Sequence, residues 1–135
     1  MAYEIPQFSR SYEAVADLSA SQYKFVKLVG GVLSSVTAAT DAAVGVLQNK
    51  PNAAGVGVFK GGERSSGTVM VDGVSRVKAG KALAAGVAVY LDAQGRVTDV
   101  VVAGKCVGVT ESACSAADQL VSVLIKPLGS VGALA

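Results

Sequence analysis

Histidine is missing from this chain of 135 residues, and with it go the commonest general base and the commonest metal ligand. Tryptophan is missing too, and aromatics make up 5% of a chain that is 51% hydrophobic, so the core has to be built from valine, alanine and leucine. Neither sign of charge dominates: 12 basic and 10 acidic residues leave +2, with no block of Lys and Arg of the kind that neutralises phosphates. No nucleic-acid partner is expected. Nor is a membrane partner, because no apolar run approaches the roughly 18 to 20 residues that a helical span needs. Cys106 and Cys114 are too few for a secreted disulfide scaffold and read as two free thiols in a reducing compartment. The start Met1-Ala2-Tyr3-Glu4-Ile5-Pro6 carries an early acid and no apolar h-region, so no signal peptide is expected and synthesis in a cytoplasm is. The mean hydropathy of +0.49 is high for a monomer, and the excess has to go into the core or into contacts with other chains. An assembling protein is expected.

What is present is a repeated word. Residues 43–51 read Ala-Val-Gly-Val-Leu-Gln-Asn-Lys-Pro, a short apolar run stopped by turn residues and a proline that has no ladder donor. Gly45 inside that run implies a bulge or a close backbone approach. The word returns as Cys106-Val107-Gly108-Val109. Gly31 to Gly95 is a step of 64 and Gly45 to Gly108 a step of 63, so the halves run nearly in register. Each copy is followed by a loop and another valine-rich run, at 68–71 and 120–125. The chain reads as two related half-units, about 22–80 and 86–127, within one β domain over 17–128; an N-terminal arm covers 1–16 and a tail 129–135.

Along the chain, Pro6 discourages helix in an arm that carries Tyr3, Ile5, Phe8 and Tyr12, and such an arm lies either on its own domain or on a neighbour. Strands are expected over 22–28 and 32–37 with a hairpin through Gly30-Gly31, then at 43–47, with a short one around Val56, Val58 and Phe59. Asp72-Gly73 predicts a tight hairpin between 68–71 and 74–78. Further strands are expected over 87–91, 96–102, 105–110 and 119–125. Eight to ten short strands with regular turn signals and no long amphipathic helix predict an all-β, single-domain sandwich or barrel with an extended N-terminal arm.

The chemistry-bearing residues form no recognisable set. Gly55, Gly57, Gly61 and Gly62 invite a phosphate-loop reading, but no Gly-Lys-Ser/Thr and no helix follow them, so a surface loop is the reading. Asp92, Gln94 and Asp99 lack the carboxylates of a calcium loop and read as turn residues. Cys106, inside a valine run, reads as a small buried hydrophobe; Cys114, Ser65 and Ser66 have no base to activate them. No catalytic residue, cofactor or metal ligand is nominated, and no enzyme is expected.

The words Tyr-Glu-Ile-Pro-Gln-Phe at 3–8, Ala-Asp-Leu-Ser-Ala-Ser-Gln-Tyr-Lys-Phe-Val at 16–26 and Gly-Val-Leu-Gln-Asn-Lys-Pro at 45–51 resemble a family of small tailed-phage proteins, the capsid cement or decoration proteins. The run Val-Met-Val-Asp-Gly-Val-Ser-Arg-Val at 69–77 and an Ala-Ala-Gly-Val-Ala-Val stretch at 84–89 resemble it too; the stretch 52–67 is longer than the family's pattern. The resemblance implies a β-rich virion protein on the outside of a phage head, made in the host cytoplasm. Its partners would be the major capsid protein and itself, as a homodimer or homotrimer. On that reading Tyr3, Ile5, Pro6 and Phe8 of the arm, with Phe59, Lys60, Glu63 and Arg64 of the 55–67 loop, are the expected contacts with capsid or sister subunit. A ligand- or glycan-binding β-domain and a tail or baseplate component are the alternatives.

Overall fold

The structure is a computed structural model, and it describes residues 2–14, 16–51 and 65–125. Its strands are β1 (Ile5–Ala14), β2 (Phe25–Val29), β3 (Val32–Ser35), β4 (Ala43–Leu47), β5 (Ser65–Lys78), β6 (Ala88–Leu91), β7 (Val97–Thr98), β8 (Gly108–Thr110) and β9 (Leu120–Ile125). Among the described residues the one helical element is a 3-10 turn at Ser19–Ser21. The expected short strand around Val56, Val58 and Phe59 lies outside the described residues.

Five strands close a ring in the order β1-β3-β2-β4-β5, because β1 pairs antiparallel with β5 along nearly its whole length and in parallel with β3 at Ala14 and Leu33. Of the all-β sandwich or barrel expected from the strand spacing, a barrel is therefore what forms. The other four strands lie outside this ring in the order β9-β8-β6-β7, starting from β5, and a single parallel bridge between Ala79 and Val97 returns them to the end of β5.

The long strand β5 corrects the hairpin expected at Asp72-Gly73. The chain runs straight through that pair, and Gly73, at φ 112°, faces Pro6 of β1 on one edge and Ile125 of β9 on the other. A hairpin would bring residues 68–71 and 74–78 against each other. Here both stretches find partners in other strands, and that burial outweighs the local turn preference. The strand expected over 96–102 shrinks to Val97–Thr98, because Thr98 Oγ1 accepts the Val100 N–H at 3.3 Å and Asp99 turns out to Lys81 at 2.9 Å. The Gly30-Gly31 hairpin forms as expected, with φ of 60° and 83°. Behind it Asp41 fixes the β3–β4 connection: Oδ2 accepts the N–H groups of Thr37 and Ala38 and pairs with Lys27 at 2.9 Å. Those donors, the Thr37 N–H foremost, lower the Asp41 pKa to about 2.

Backbone hydrogen bonds recur between the two halves. Tyr23 N–H donates to Leu47 O at 2.7 Å and Gly86 N–H to Thr110 O at 2.8 Å; Leu47 N–H donates to Lys24 O at 3.0 Å and Thr110 N–H to Val87 O at 2.9 Å. Tyr23 and Gly86 both take positive φ, 63° and 79°. The parallel bridge Ala14–Leu33 matches Ala79–Val97, and the pair Val26–Gly45 matches Val89–Gly108. The close approach expected at Gly45 is present: a Cβ there would strike the Met70 carbonyl oxygen and stand 2.8 Å from Val69 Cγ1. At Gly108 a Cβ would strike Leu124 O and stand 2.7 Å from Val123 Cγ1. The correspondence takes in β1, whose ladder with the first part of β5 matches the ladder of the last part of β5 with β9. One strand thus ends the first half and begins the second.

Alternation divides the side chains between two cores. Val26, Leu33, Leu47 and Val69 fill the first ring with Ala14 and Leu18. Their strand neighbours Phe25, Val46 and Met70 point the other way, into a larger cluster with Val77, Val89, Val97, Val121, Val123 and Ile125. The first ring's outer face is thereby the wall of the second core.

Candidate partner-binding site

The N-terminal segment carries the exposed apolar groups singled out in the sequence, and of the two placements open to it the structure shows it lying on its own chain. Tyr3 is anchored across β9: its N–H donates to Ser122 Oγ at 2.5 Å, Ser122 Oγ donates to Tyr3 O at 3.0 Å, and the Tyr3 hydroxyl donates to Glu111 Oε1 at 2.6 Å. That donation to a carboxylate raises the Tyr3 pKa, since ionising the phenol would set two negative charges together. Next to it Glu4 Oε1 accepts Arg76 Nε at 2.9 Å, while Arg76 Nη2 donates to the Tyr23 hydroxyl at 2.9 Å and its guanidinium lies 4.8 Å from the Tyr23 ring centroid. The Glu4 carboxylate foremost raises the Arg76 pKa, so this cation is fixed at every accessible pH.

β1 starts from that anchor. Pro6 has no N–H to give its neighbour, and the register slips between Pro6 and Phe8 and again between Phe8 and Ser9. Around the irregularity Ile5 and Phe8 stand 50% and 54% exposed, although the strand that carries them is paired. The result is an apolar patch held on a strand that closes the ring. Phe59, Lys60, Glu63 and Arg64 lie outside the described residues.

Other exposed apolar groups went unsignalled in the sequence: Leu28 and Val29 at the β2–β3 turn, Val100 and Val101 after β7, and Leu124 in β9. A valine in a β-run looks the same whether it points in or out. The signal that could have found Val100 is the repeat, which sets it 64 residues after Val36.

The groups weighed for chemistry have structural employment. Asp92 Oδ1 accepts the N–H groups of Gln94 and Arg96 at 2.8 and 3.0 Å, and Oδ2 pairs with Arg96 Nε at 2.8 Å. Arg96 also reaches Asp118 at 3.2 Å, and these carboxylates, Asp92 first, raise its pKa. Cys106 and Cys114 are free thiols; Cys106 is buried with Sγ 3.5 Å from Gly108 O, and Cys114 Sγ lies 3.4 Å from Lys81 O. Among the described residues no group of three or more His, Cys, Asp or Glu is placed to hold a metal ion. No helix there is long and apolar enough to cross a membrane.

The architecture is that of an all-β module with exposed apolar groups on β1, at the β2–β3 turn, after β7 and in β9. The profile of the phage cement proteins matches residues 26–126, and the chain belongs to that family. It is a bacteriophage structural protein, associated with the capsid. No curated protein sequence matches it. Among solved structures it resembles the N base of the head fiber gp8.5 of bacteriophage phi29, with a TM-score of 0.61 at 12% identity over 88% of this chain and 93% of that one. At that identity the likeness is one of fold.

Proposed function

We propose that this protein binds the outer surface of a phage head, ties neighbouring major capsid subunits together, and does so as a homo-oligomer without catalysing a reaction. Membership of the cement protein family over residues 26–126 carries the reading. The apolar patch of Ile5 and Phe8, with Tyr3 beside it, supports it as the capsid contact, because a patch on a paired strand is already ordered and loses little entropy on docking. The protein is made in the host cytoplasm and ends on the capsid exterior. Cementing is then linkage: a protein that binds the finished lattice and not its separated subunits lowers the free energy of the lattice. Symmetry repeats each modest contact over the shell, and a copy engaged with several subunits leaves only when all its contacts open together.

The test is to mix purified protein with undecorated expanded heads and image them by cryo-electron microscopy. Density at ordered lattice positions is expected, with β1 against capsid, and Phe8→Glu should lower occupancy at unchanged protein stability. Bare heads at saturating protein would overturn the proposal.

A further inference from the structure

The repeat sets a covered face and an uncovered one at matching places. On the first half, Phe25, Val36, Val46 and Met70 are each no more than 3% exposed, because the second half packs on them. Their counterparts follow from strand pairing. Phe25 faces Val46, which faces Met70, as Ala88 faces Val109, which faces Leu124. Val36 and Val100 each come three residues after the residue that closes its parallel bridge, Leu33 and Val97. In the second half this apolar set is uncovered: Ala88 is exposed, Val109 half-buried, and Val100 and Leu124 are 62% and 36% exposed.

The occupant is indicated by what covers the first set. The β6–β7 turn sits there, with Gly95 O accepting the Phe25 N–H at 2.9 Å, and so close that a Cβ on Gly95 would stand 2.6 Å from Phe25 O and 3.5 Å from Val36 Cβ. Its counterpart in the first half is the β2–β3 turn. Gly31 has the same left-handed φ as Gly95, yet nothing lies within 4 Å of a Cβ at Gly30 or Gly31, and Leu28 and Val29 beside them are 39% and 54% exposed. One chain thus shows both halves of a junction it has already made once internally: an unfilled seat on the second half and an unseated turn on the first.

We infer that copies of this chain associate head to tail, the β2–β3 turn of one copy, with Leu28 and Val29, seating on Ala88, Val100, Val109 and Leu124 of the next. The contact is heterologous, two different patches meeting, so it closes into a ring or continues as a filament. It needs no capsid and stands apart from the Phe8 patch.

The test is analytical ultracentrifugation and native mass spectrometry of the full chain, with Val29→Glu and Leu124→Glu as variants. Both side chains are solvent-exposed, and circular dichroism with urea unfolding checks that each variant folds. Wild type is expected to sediment as an oligomer and each variant as a monomer. Mixed in equal amounts, the variants should form a 1:1 dimer, because the intact seat of the Val29→Glu chain receives the intact turn of the Leu124→Glu chain. A wild type that stays monomeric at its highest soluble concentration would overturn the inference. So would an oligomer that either variant leaves unchanged, or two monomeric variants that fail to pair, the last being the mark of a like-with-like interface.

Discussion

Replacing Gly45 by alanine tests the packing of β4 on β5. In an ordinary strand the change would help, since alanine restricts the unfolded chain by about 0.5–1 kcal/mol more than it restricts the folded one. Here the new methyl strikes the Met70 carbonyl oxygen and stands 2.8 Å from Val69 Cγ1. The valine could shift its rotamer, but the oxygen belongs to a backbone held in the β4–β5 ladder, where Val46 faces Met70 and Leu47 faces Val69. Relief requires β4 to lift. That strains the bond from Gln48 N–H to Thr68 O at 2.8 Å and opens both cores, because Val46 and Met70 line one and Leu47 and Val69 the other. Overpacking of this kind costs about 1–3 kcal/mol, and a fixed backbone atom with two cores at stake puts Gly45→Ala near the top of that range. For a chain of this size the melting temperature should fall by roughly 5–15 °C. Gly108→Ala should cost the same within about 1 kcal/mol, on the size of the shared overpacking term, because a Cβ there meets Leu124 O and Val123 Cγ1 in the same way. Gly30→Ala, in open space at φ 60°, should lose only the left-handed backbone penalty of about 1–2 kcal/mol. Urea unfolding of the three variants measures all of this. A Gly45→Ala protein as stable as wild type would refute the close approach, and a cost at Gly45 without one at Gly108 would refute the equivalence of the two sites.

Met70→Ala should destabilise the chain by about 2–5 kcal/mol, since Met70 is buried between the first ring and the second core; the urea midpoint measures it. Asp41, with its folded pKa lowered to about 2 from 3.8, contributes stability that is present above the unfolded value and lost as pH falls through the folded one. Unfolding midpoints should therefore drop between pH 4 and pH 2, and Asp41→Asn should flatten that part of the profile. Glu111→Gln should bring the raised Tyr3 pKa back down, read as an earlier rise in tyrosinate absorbance on alkaline titration. Arg76→Met removes the Glu4 pair and the cation over Tyr23, worth about 1–2 kcal/mol together; amide exchange at residues 3–5 should speed up, while exchange in β9 stays unchanged.

Much of the candidate contact surface was legible as composition and little of it as place. Three aromatics gathered near the N-terminus marked that segment as a candidate for contacts, and the structure leaves two of them, Tyr3 and Phe8, exposed. The sequence did not reveal that the segment's backbone closes a ring. Removing residues 2–9 would take away half of β1 along with the patch, so point substitutions at Phe8 separate binding from folding where a deletion does not. Leu124 and Val100 were invisible for a different reason. Their local pattern is that of core valine and leucine, and only the pairing of the strands shows which side faces out.

The amino-acid sequence by itself determined the local grammar. Valine-rich runs of four to six residues made strands β2, β3, β4, β6 and β9, Gly30-Gly31 and the 92–95 turn joined their neighbours, and the Val-Gly-Val word marked the two sites of close approach. These follow from φ preferences, branched side chains and the period of two, all of which act within a few residues. Only the tertiary structure decided which strand lies beside which. Asp72-Gly73 carries a strong turn signal, yet it runs straight inside β5 because Pro6 and Ile125, distant in sequence, occupy its two edges. The second core takes Phe25, Val46 and Met70 from the first half for the same reason. A strand edge is filled by whichever partner buries the most apolar surface, and that competition is settled between segments far apart in the chain.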